Sequence, residues 1–485
     1  MAGVEKKYEF SFIREDINQI DNYSKGLKNF YEQLYLLEQG RRRTVNIVHI
    51  GDSHIQADWF SGMVRTRLQT QFGSAGRGLV FPYSVAKTNS PADIKSYSST
   101  PWDARRNVNT YSTIPTGISG ISLKTYTSNF LLKLEITNYP EKIDYRFNKI
   151  TLFTDKGPRN YDIKVNSPAD IPAYQAPLPA LTAVNQTRIA AENDVYHEVK
   201  PGESLGIISA MYKVSIEDLR RLNNIEGNII YAGQKIRVKQ TQIFRSGTET
   251  FVQKNLGSEF QKDQGAPRGD YSGGTTHFAS TVYLPQPVNT VYLRGEKNKE
   301  TQQEATIYGM VLENYDQSGI LYHMIGVNGA RFDHYNQSEY FMDQLHALKP
   351  DLIIISLGTN ETMGDGFNRN TFFNQMDEFI YLLEQHTPHA DILITTPPDA
   401  LRAGRYPNQN VPAARDVILG YALSNDLSCW NFFDVMGGTG SIQNWYSSGL
   451  AQKDRLHLTR TGYELQGVLL YEALMKGYGA YRANR

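Results

Sequence analysis

Val45-Asn46-Ile47-Val48-His49-Ile50 runs directly into Gly51-Asp52-Ser53-His54, and this junction decides the fold. Six residues rich in branched aliphatics read as a buried strand. The glycine, carboxylate and serine that follow mark a sharp turn, and apolar spacing from about Trp59 to Gln71 predicts a helix behind it. A buried strand that feeds a helix through a short turn is the repeating unit of a parallel α/β sheet.

Working outward, Leu27, Phe30, Tyr31, Leu34 and Leu37 predict a helix over about residues 22–39 that closes at Gly40. The same grammar returns late in the chain. Leu352 to Leu357 reads as a strand, Phe372 to Glu384 as an amphipathic helix, and Ile392 to Thr396 as a strand closed by Pro397-Pro398. Trp430 to Val435 suggests one more strand and Tyr463 to Met475 a last helix, so the α/β part draws on both ends of the chain. From about residue 110 to 305 helical periodicity mostly gives way to alternating stretches such as Phe130 to Ile136 and Thr281 to Leu284, which predict a β-sandwich. Within it, Pro168 to Pro179 reads as a proline-rich linker, and Tyr196 to Gln240 as a self-contained strand, helix, helix, strand unit. The expected organisation is therefore an α/β domain over 20–110 and 306–485, an inserted sandwich over 111–193 and 241–305, and a nested small unit over 194–240.

With 485 residues, several domains are expected; 40% hydrophobic and 21% charged residues place the chain among globular proteins. Fifty basic residues balance fifty acidic ones, so net charge offers no attraction to nucleic acid or an anionic membrane. Cys429 is the single cysteine and excludes an internal disulfide framework; it reads as a small buried hydrophobe. No apolar run approaches the roughly 20 residues of a membrane span, and Met1-Ala2-Gly3-Val4-Glu5-Lys6-Lys7 lacks the apolar core of a signal peptide. If the protein is exported, its native leader is expected to be missing from this sequence.

Ser53 falls where a buried parallel strand ends, the edge at which open α/β sheets place their ligands. Asp454-Arg455-Leu456-His457 supplies an acid and an imidazole three residues apart, on one side of a turn. The Asp454 carboxylate can hold Nδ1–H of His457, which then presents Nε2 as general base to Ser53. Gly358-Thr359-Asn360-Glu361 follows the strand at 352–357, so Asn360 emerges on the Ser53 edge with an amide suited to an oxyanion. In Val327-Asn328-Gly329-Ala330, Gly329 can bring an unhindered backbone N–H close to a ligand.

Gly-Asp-Ser-His, Asn-Gly-Ala, Gly-Thr-Asn-Glu and Asp-Arg-Leu-His, in this order, resemble the conserved blocks of the SGNH, or GDSL-like, hydrolases. The resemblance covers roughly 20–110 and 306–485. It implies a three-layer α/β fold and a serine esterase without a cofactor, with Ser53 as nucleophile and Asp454 and His457 completing the triad. The implied oxyanion donors are Ser53, Gly329 and Asn360. His54 stands where the commonest family version has leucine. The long insertion between the first two blocks is similar to that of peptidoglycan O-acetylesterases, in which a carbohydrate-binding-module-like sandwich interrupts the catalytic domain. Gly76-Arg77-Gly78-Leu79 and Gly309-Met310-Val311-Leu312-Glu313-Asn314 also look like that group.

Within the small unit, Val199 to Leu205, Leu219 to Asn223 and Ile230 to Val238 resemble a LysM module. That resemblance implies a groove for glycans containing N-acetylglucosamine, lined by Gly202, Glu203, Ser204 and Leu205 and by Asn228, Ile229, Ile230 and Tyr231. Together the two resemblances imply acetyl removal from peptidoglycan or a related acetylated glycan, in the periplasm or outside the cell. Two alternatives stand beside it: an acetylesterase or acetyltransferase on another polysaccharide, or a wall-binding protein without catalysis.

Gly202-Glu203-Ser204-Leu205-Gly206 also matches a nucleophile elbow, but the short, alternating strand before it is not the buried central strand an elbow needs. The ten histidines include no H-E-x-x-H pattern, and His386 and His389 read as surface residues beside Pro388, so no metal is expected. Arg41-Arg42-Arg43 reads as a solvated lead-in to a strand.

Overall fold

The computed structural model describes residues 10–137, 143–155, 157–168, 195–200, 203–212, 216–223, 225, 230–231, 233–239, 279–364 and 366–485. The linker expected at 168–179 lies almost wholly outside them. The chain divides into two units, Met1–Pro172 with Glu259–Arg485, and Ala173–Ser258.

The first unit holds a parallel sheet of five strands, here numbered β1 Thr44–Gly51, β2 Gly319–Gly326, β3 Leu352–Ser356, β4 Asp391–Thr395 and β5 Ser428–Trp430. Their order is 2-1-3-4-5, with every pairing parallel. The strands are almost wholly buried, as a parallel sheet covered on both faces must be. Lys28–Glu38 and Trp59–Phe72 pack with the long helix Arg460–Ala483, while Arg369–His386 packs with Asn410–Ser424 and Phe332–Asn336. Register is what positions the site. Gly51 at the end of β1 pairs with Gly326 on one side and Ser356 on the other, so the loops after β1, β2 and β3 leave the sheet together at its C-terminal edge.

Two differences from the sequence reading stand out. Phe432–Val435 is a short helix and not the continuation of β5, because the Asn431 side chain caps it by accepting the Asp434 N–H at 3.3 Å. β2 had not been singled out, although Ile320, Leu321, Tyr322, Met324 and Ile325 make it a largely apolar run.

Two larger antiparallel sheets also belong to this unit. One runs Ala279–Val288, Phe147–Thr154, Ala305–Glu313, Ile121–Thr125, Asp103–Arg106, with Gly76–Val80 also paired to Ala305–Glu313. The other runs Ile94–Ser98, Leu131–Ile136, Thr290–Glu296, Asp162–Asn166. Burial alternates along Leu131–Ile136, the period expected of a strand with one face in the core. The Gly76 and Gly309 stretches turn out to be partners, with Val311 opposite Leu79 and Leu312 opposite Gly78. Arg77, fully buried there, donates to Asp58 at 2.6 Å and to Asp93, so its charge is paired on both sides. Strands that precede residue 111, and the strand that straddles residue 306, thus pair in antiparallel sheets.

In the second unit Val195–Glu198 and Lys235–Lys239 pair antiparallel around helices Leu205–Tyr212 and Ile216–Asn223. Val199, Leu205, Ile208, Leu219 and Ile236 form its own small core. No helix among the described residues is long and apolar enough to cross a membrane.

Candidate active site

Ser53 opens the short helix Ser53–Gln56, two residues beyond the end of β1, and is half-buried. Its Oγ lies 3.2 Å from His457 Nε2, and His457 Nδ1 lies 2.8 Å from Asp454 Oδ2. Three residues separated by up to 404 positions are therefore joined in one hydrogen-bonded chain.

The turn that carries the acid and the imidazole is held from several sides. Asp454 Oδ1 accepts the N–H groups of Leu456 and His457, each at 3.0 Å, and Gln452 N–H donates to His457 O at 2.8 Å. Burial works against the Asp454 carboxylate, but the hydrogen bonds from His457 and from the two backbone N–H groups outweigh it and hold its pKa below the usual aspartate range. Between them Arg455 takes a φ of +51°, a left-handed conformation that tightens the turn.

His54 braces the imidazole. Its buried ring stacks on that of His457, with centroids 5.6 Å apart and planes 26° apart, and its Nδ1 lies 3.2 Å from the Tyr463 hydroxyl. Burial, with the His457 charge adding to it, pushes the His54 pKa down to about 3, so the ring is neutral and repels no imidazolium. The sequence reading had given His54 no role; a buried imidazole where an apolar residue is commonest was the available signal.

The three expected oxyanion donors converge on the same sheet edge. Gly329, three residues beyond the end of β2, has φ +82° and open space where a side chain would stand. Among the described residues, neither the Gly329 N–H nor the Ser53 N–H has a bonded acceptor. Asn360 sits in helix Thr359–Met363, just past β3, and its Nδ2 donates to Ala330 O at 2.9 Å and to Asp52 Oδ2 at 3.1 Å. Both amide hydrogens are thus engaged at rest, and the longer bond, to Asp52, is the one an oxyanion would share. Asp52 is fully buried and accepts the His54 N–H at 2.9 Å through its other oxygen. Burial pushes its carboxyl up to about 7, against the pull of the His54 N–H and of His457. Glu361 is pushed up to about 7 by burial too, and its Oε1 accepts the Phe332 N–H at 2.9 Å, tying the Asn360 helix to the segment after Gly329. Asp52 and Glu361 were not among the expected site residues, since their partners lie far away in sequence.

Of the expected glycan groove, Glu203, Ser204, Leu205, Ile230 and Tyr231 are described, whereas Gly202, Asn228 and Ile229 lie outside the described residues. Glu203 accepts the Lys200 N–H at 2.8 Å and pairs with His197 at 2.7 Å. Ser204 is exposed, and its Oγ accepts the Ile207 N–H at 3.4 Å at the start of its helix. Leu205 is buried in the small core, Ile230 packs against that core, and Tyr231 is exposed. Ser204, the decoy nucleophile, behaves as a helix cap. Among the described residues no cluster of His, Cys, Asp and Glu is arranged to hold a metal ion.

Comparison with known proteins bears on both units. Residues 301–465 match the GDSL-like lipase/acylhydrolase family, and residues 197–239 match the LysM domain. The chain carries a GDSL-like lipase/acylhydrolase domain and a LysM domain. The acylhydrolase domain is of the esterase class, and its family match includes Gly329, Asn360, Asp454 and His457. A solved structure described as a peptidoglycan O-acetylesterase in action aligns over 95% of this chain and 99% of its own, with a TM-score of 0.63 and 18% identity, a likeness of fold. Curated relatives match over short stretches. The probable endopeptidase p60 of Listeria monocytogenes is 35% identical over 65 residues, 13% of this chain and 13% of that protein. The autolysin of Enterococcus faecalis is 47% identical over 47 residues, 10% and 6%. The N-acetylmuramoyl-L-alanine amidase sle1 of Staphylococcus aureus is 42% identical over 59 residues, 12% and 17%. The chain thus spans less than a fifth of the length of each of these relatives.

Proposed function

We propose that the protein is a serine esterase that removes O-acetyl groups from peptidoglycan, acting outside the cytoplasm. The observation that carries this reading is the Ser53–His457–Asp454 chain at 3.2 and 2.8 Å, on the sheet edge where the Ser53 and Gly329 N–H groups have no bonded acceptor among the described residues. Ser53 Oγ attacks the acetyl carbonyl while its proton passes to His457 Nε2. The tetrahedral oxyanion is held by the N–H groups of Ser53 and Gly329 and by Asn360 Nδ2, which turns part of its bond from Asp52 toward the new charge. Collapse expels the sugar hydroxyl with the proton from His457. Water then attacks the acetyl-Ser53, again with His457 as base, and acetate leaves.

Peptidoglycan as the substrate is supported by the LysM domain, by the wall-directed names of the curated relatives, and by the fold shared with the O-acetylesterase. In the LysM unit the exposed Ser204 and Tyr231 side chains are the ones a glycan would meet, since Leu205 faces the core. The two antiparallel sheets are read as the inserted carbohydrate-binding-module-like sandwich. On strand pairing, its boundaries move outward from 111 and 305 to about residues 75 and 314. The test is acetate release measured side by side on O-acetylated peptidoglycan and acetylxylan. Release from peptidoglycan at least about tenfold faster, abolished in Ser53→Ala, is expected; preference for acetylxylan would move the enzyme to another polysaccharide.

A further inference from the structure

A pocket of about 730 Å³ opens directly beside the acid of the triad, bounded by Asp454, Arg455 and Leu456 on one side and by Met363, three residues after Asn360, on another. Gln443 and Lys453 also line it, together with Leu401, Ala403, Gly404 and Arg405 of a tight hairpin in which Leu401–Arg402 pairs with Tyr406–Pro407. The hairpin tip turns through Ala403 at φ +50° and Gly404 at φ +66°. It is anchored to the catalytic turn, because the Leu401 N–H donates to Arg455 O at 2.9 Å and a Cβ on Gly404 would stand 3.4 Å from Asp454 O. Whatever fills this pocket therefore touches the same turn that orients His457.

The lining carries three cations and one acid. The acid, Asp454, already accepts three hydrogen bonds. Arg455 is also engaged: its guanidinium donates to Gln443 Oε1 at 3.1 Å and Lys453 O at 2.7 Å and lies 4.1 Å from the centroid of the Tyr446 ring. Arg405 and Lys453 differ. Both are exposed, and among the described residues neither side chain has a hydrogen-bond or ion-pair partner. Two unpaired cations facing a cavity of a volume typical of ligand sites are complementary to an anion, and a neutral polysaccharide offers them nothing.

We propose that Arg405 and Lys453 form a carboxylate subsite that recognises the peptide borne by the acetylated glycan. This rests on the esterase reading and deepens it, because the peptide of peptidoglycan carries free carboxylates close to the sugar, whereas an unsubstituted xylan backbone is neutral. An acetyl ester held at Ser53, between Asn360 and His457, would leave the rest of the sugar and its peptide room to extend past Asp454 into the pocket. Arg405 offers a planar fork to a carboxylate and Lys453 a mobile point charge, so the pair can accept carboxylates that differ in position. These two residues set specificity and do not touch the reacting atoms.

The test measures binding by calorimetry in the 485-residue chain carrying Ser53→Ala. The probe is an acetylated disaccharide-peptide with free carboxylates, compared with the same molecule after carbodiimide coupling to ammonia has turned them into amides. The free form is expected to bind roughly tenfold more tightly, a preference that shrinks at high salt. That ratio should fall to about one when Arg405→Gln and Lys453→Gln are added. It should survive Arg405→Lys with Lys453→Arg, which keeps the charges. Because each chain is compared with itself, a general loss of folding or affinity cancels from the ratio. Equal affinity for the two forms in the parent chain would overturn the subsite, as would a ratio that persists in the double glutamine chain. Absence of acetate release from the same probe by the chain with Ser53 intact, with the ratio preserved, would overturn the esterase reading and leave the subsite standing.

Discussion

Asp454→Asn should be a slower enzyme than Asp454→Ala, although asparagine is the closer mimic. The reason lies in how the carboxylate is used. Oδ1 accepts two backbone N–H groups, from Leu456 and His457, and Oδ2 takes Nδ1–H of His457. An asparagine must give its single oxygen to the two N–H groups, which leaves its NH₂ facing Nδ1. Nδ1 then becomes an acceptor, the ring proton moves to Nε2, and the nitrogen next to Ser53 can no longer take a proton. Alanine loses the same charge-assisted bond but enforces neither tautomer. Loss of that bond is worth about 1.5–3 kcal/mol, which at about 1.4 kcal/mol per decade lowers kcat roughly 10–100-fold in Asp454→Ala. The wrong tautomer costs Asp454→Asn about 1–3 kcal/mol more, for a total loss on the order of 10²–10⁴-fold. Initial rates on a small soluble acetyl ester, at saturating substrate and fixed pH, measure both. Equal rates in the two variants, or asparagine within fivefold of the unchanged chain, would refute the assigned hydrogen-bond directions.

The other expectations concern the oxyanion donors, buried acid and LysM unit. Asn360→Ala should lower kcat about 10²–10³-fold with a smaller change in KM, since a preorganised donor acts in the transition state; a pure KM effect would mean that Asn360 only positions substrate. Asp52, raised by burial from 3.8 to about 7, binds a proton more readily folded than unfolded, so its stabilising contribution is complete below about pH 4 and is lost as pH rises through 7. The stability of the unchanged chain relative to Asp52→Asn, from urea unfolding, should thus fall across that window by on the order of 4 kcal/mol; a flat difference would show that Asp52 stays ionised. Replacing residues 195–240 by a Gly/Ser linker should leave hydrolysis of a small ester nearly intact, because the other unit has its own core, yet slow acetate release from insoluble peptidoglycan. Equal loss on both substrates would make the LysM unit a support of the fold.

What the sequence made legible, and what it did not, follows from the range of the interactions. The β1 run into Gly-Asp-Ser, the helix at 28–38 and the helix at 369–386 are written in local periodicity, which a buried parallel strand and an amphipathic helix each impose on their own residues. The antiparallel sheets were legible as a class but not in extent. Gly76–Val80 lies close in sequence to the first catalytic block, and only pairing with a strand more than 200 residues later reveals its sheet. Phe432–Val435 looks like strand because its apolar residues are contiguous, and a side-chain cap at Asn431 overrides that pattern.

The site divides along the same line. Asp454 and His457 are three residues apart, so their pairing could be derived from spacing, and His457 Nδ1 lies 2.8 Å from Asp454 Oδ2. The groups that hold this machinery in place are all distant from what they hold: Asp52 from Asn360 by 308 positions, Glu361 from Phe332 by 29, Tyr463 from His54 by 409. Asp52 and Glu361 read in isolation as turn residues, and Tyr463 as an apolar position of the last helix, so none of the three announces its partner. Their burial changes what they are. Burial pushes the Asp52 carboxyl, held between His54 and Asn360, up to about 7, and its neutral form would hold the Asn360 amide by a weaker bond than the charge-assisted one of the carboxylate. If Asn360 serves as the proposed oxyanion donor, Asp52 would in this way tune how readily its amide turns to the new charge, linking the protonation of the core to the rate of the chemistry at the sheet edge.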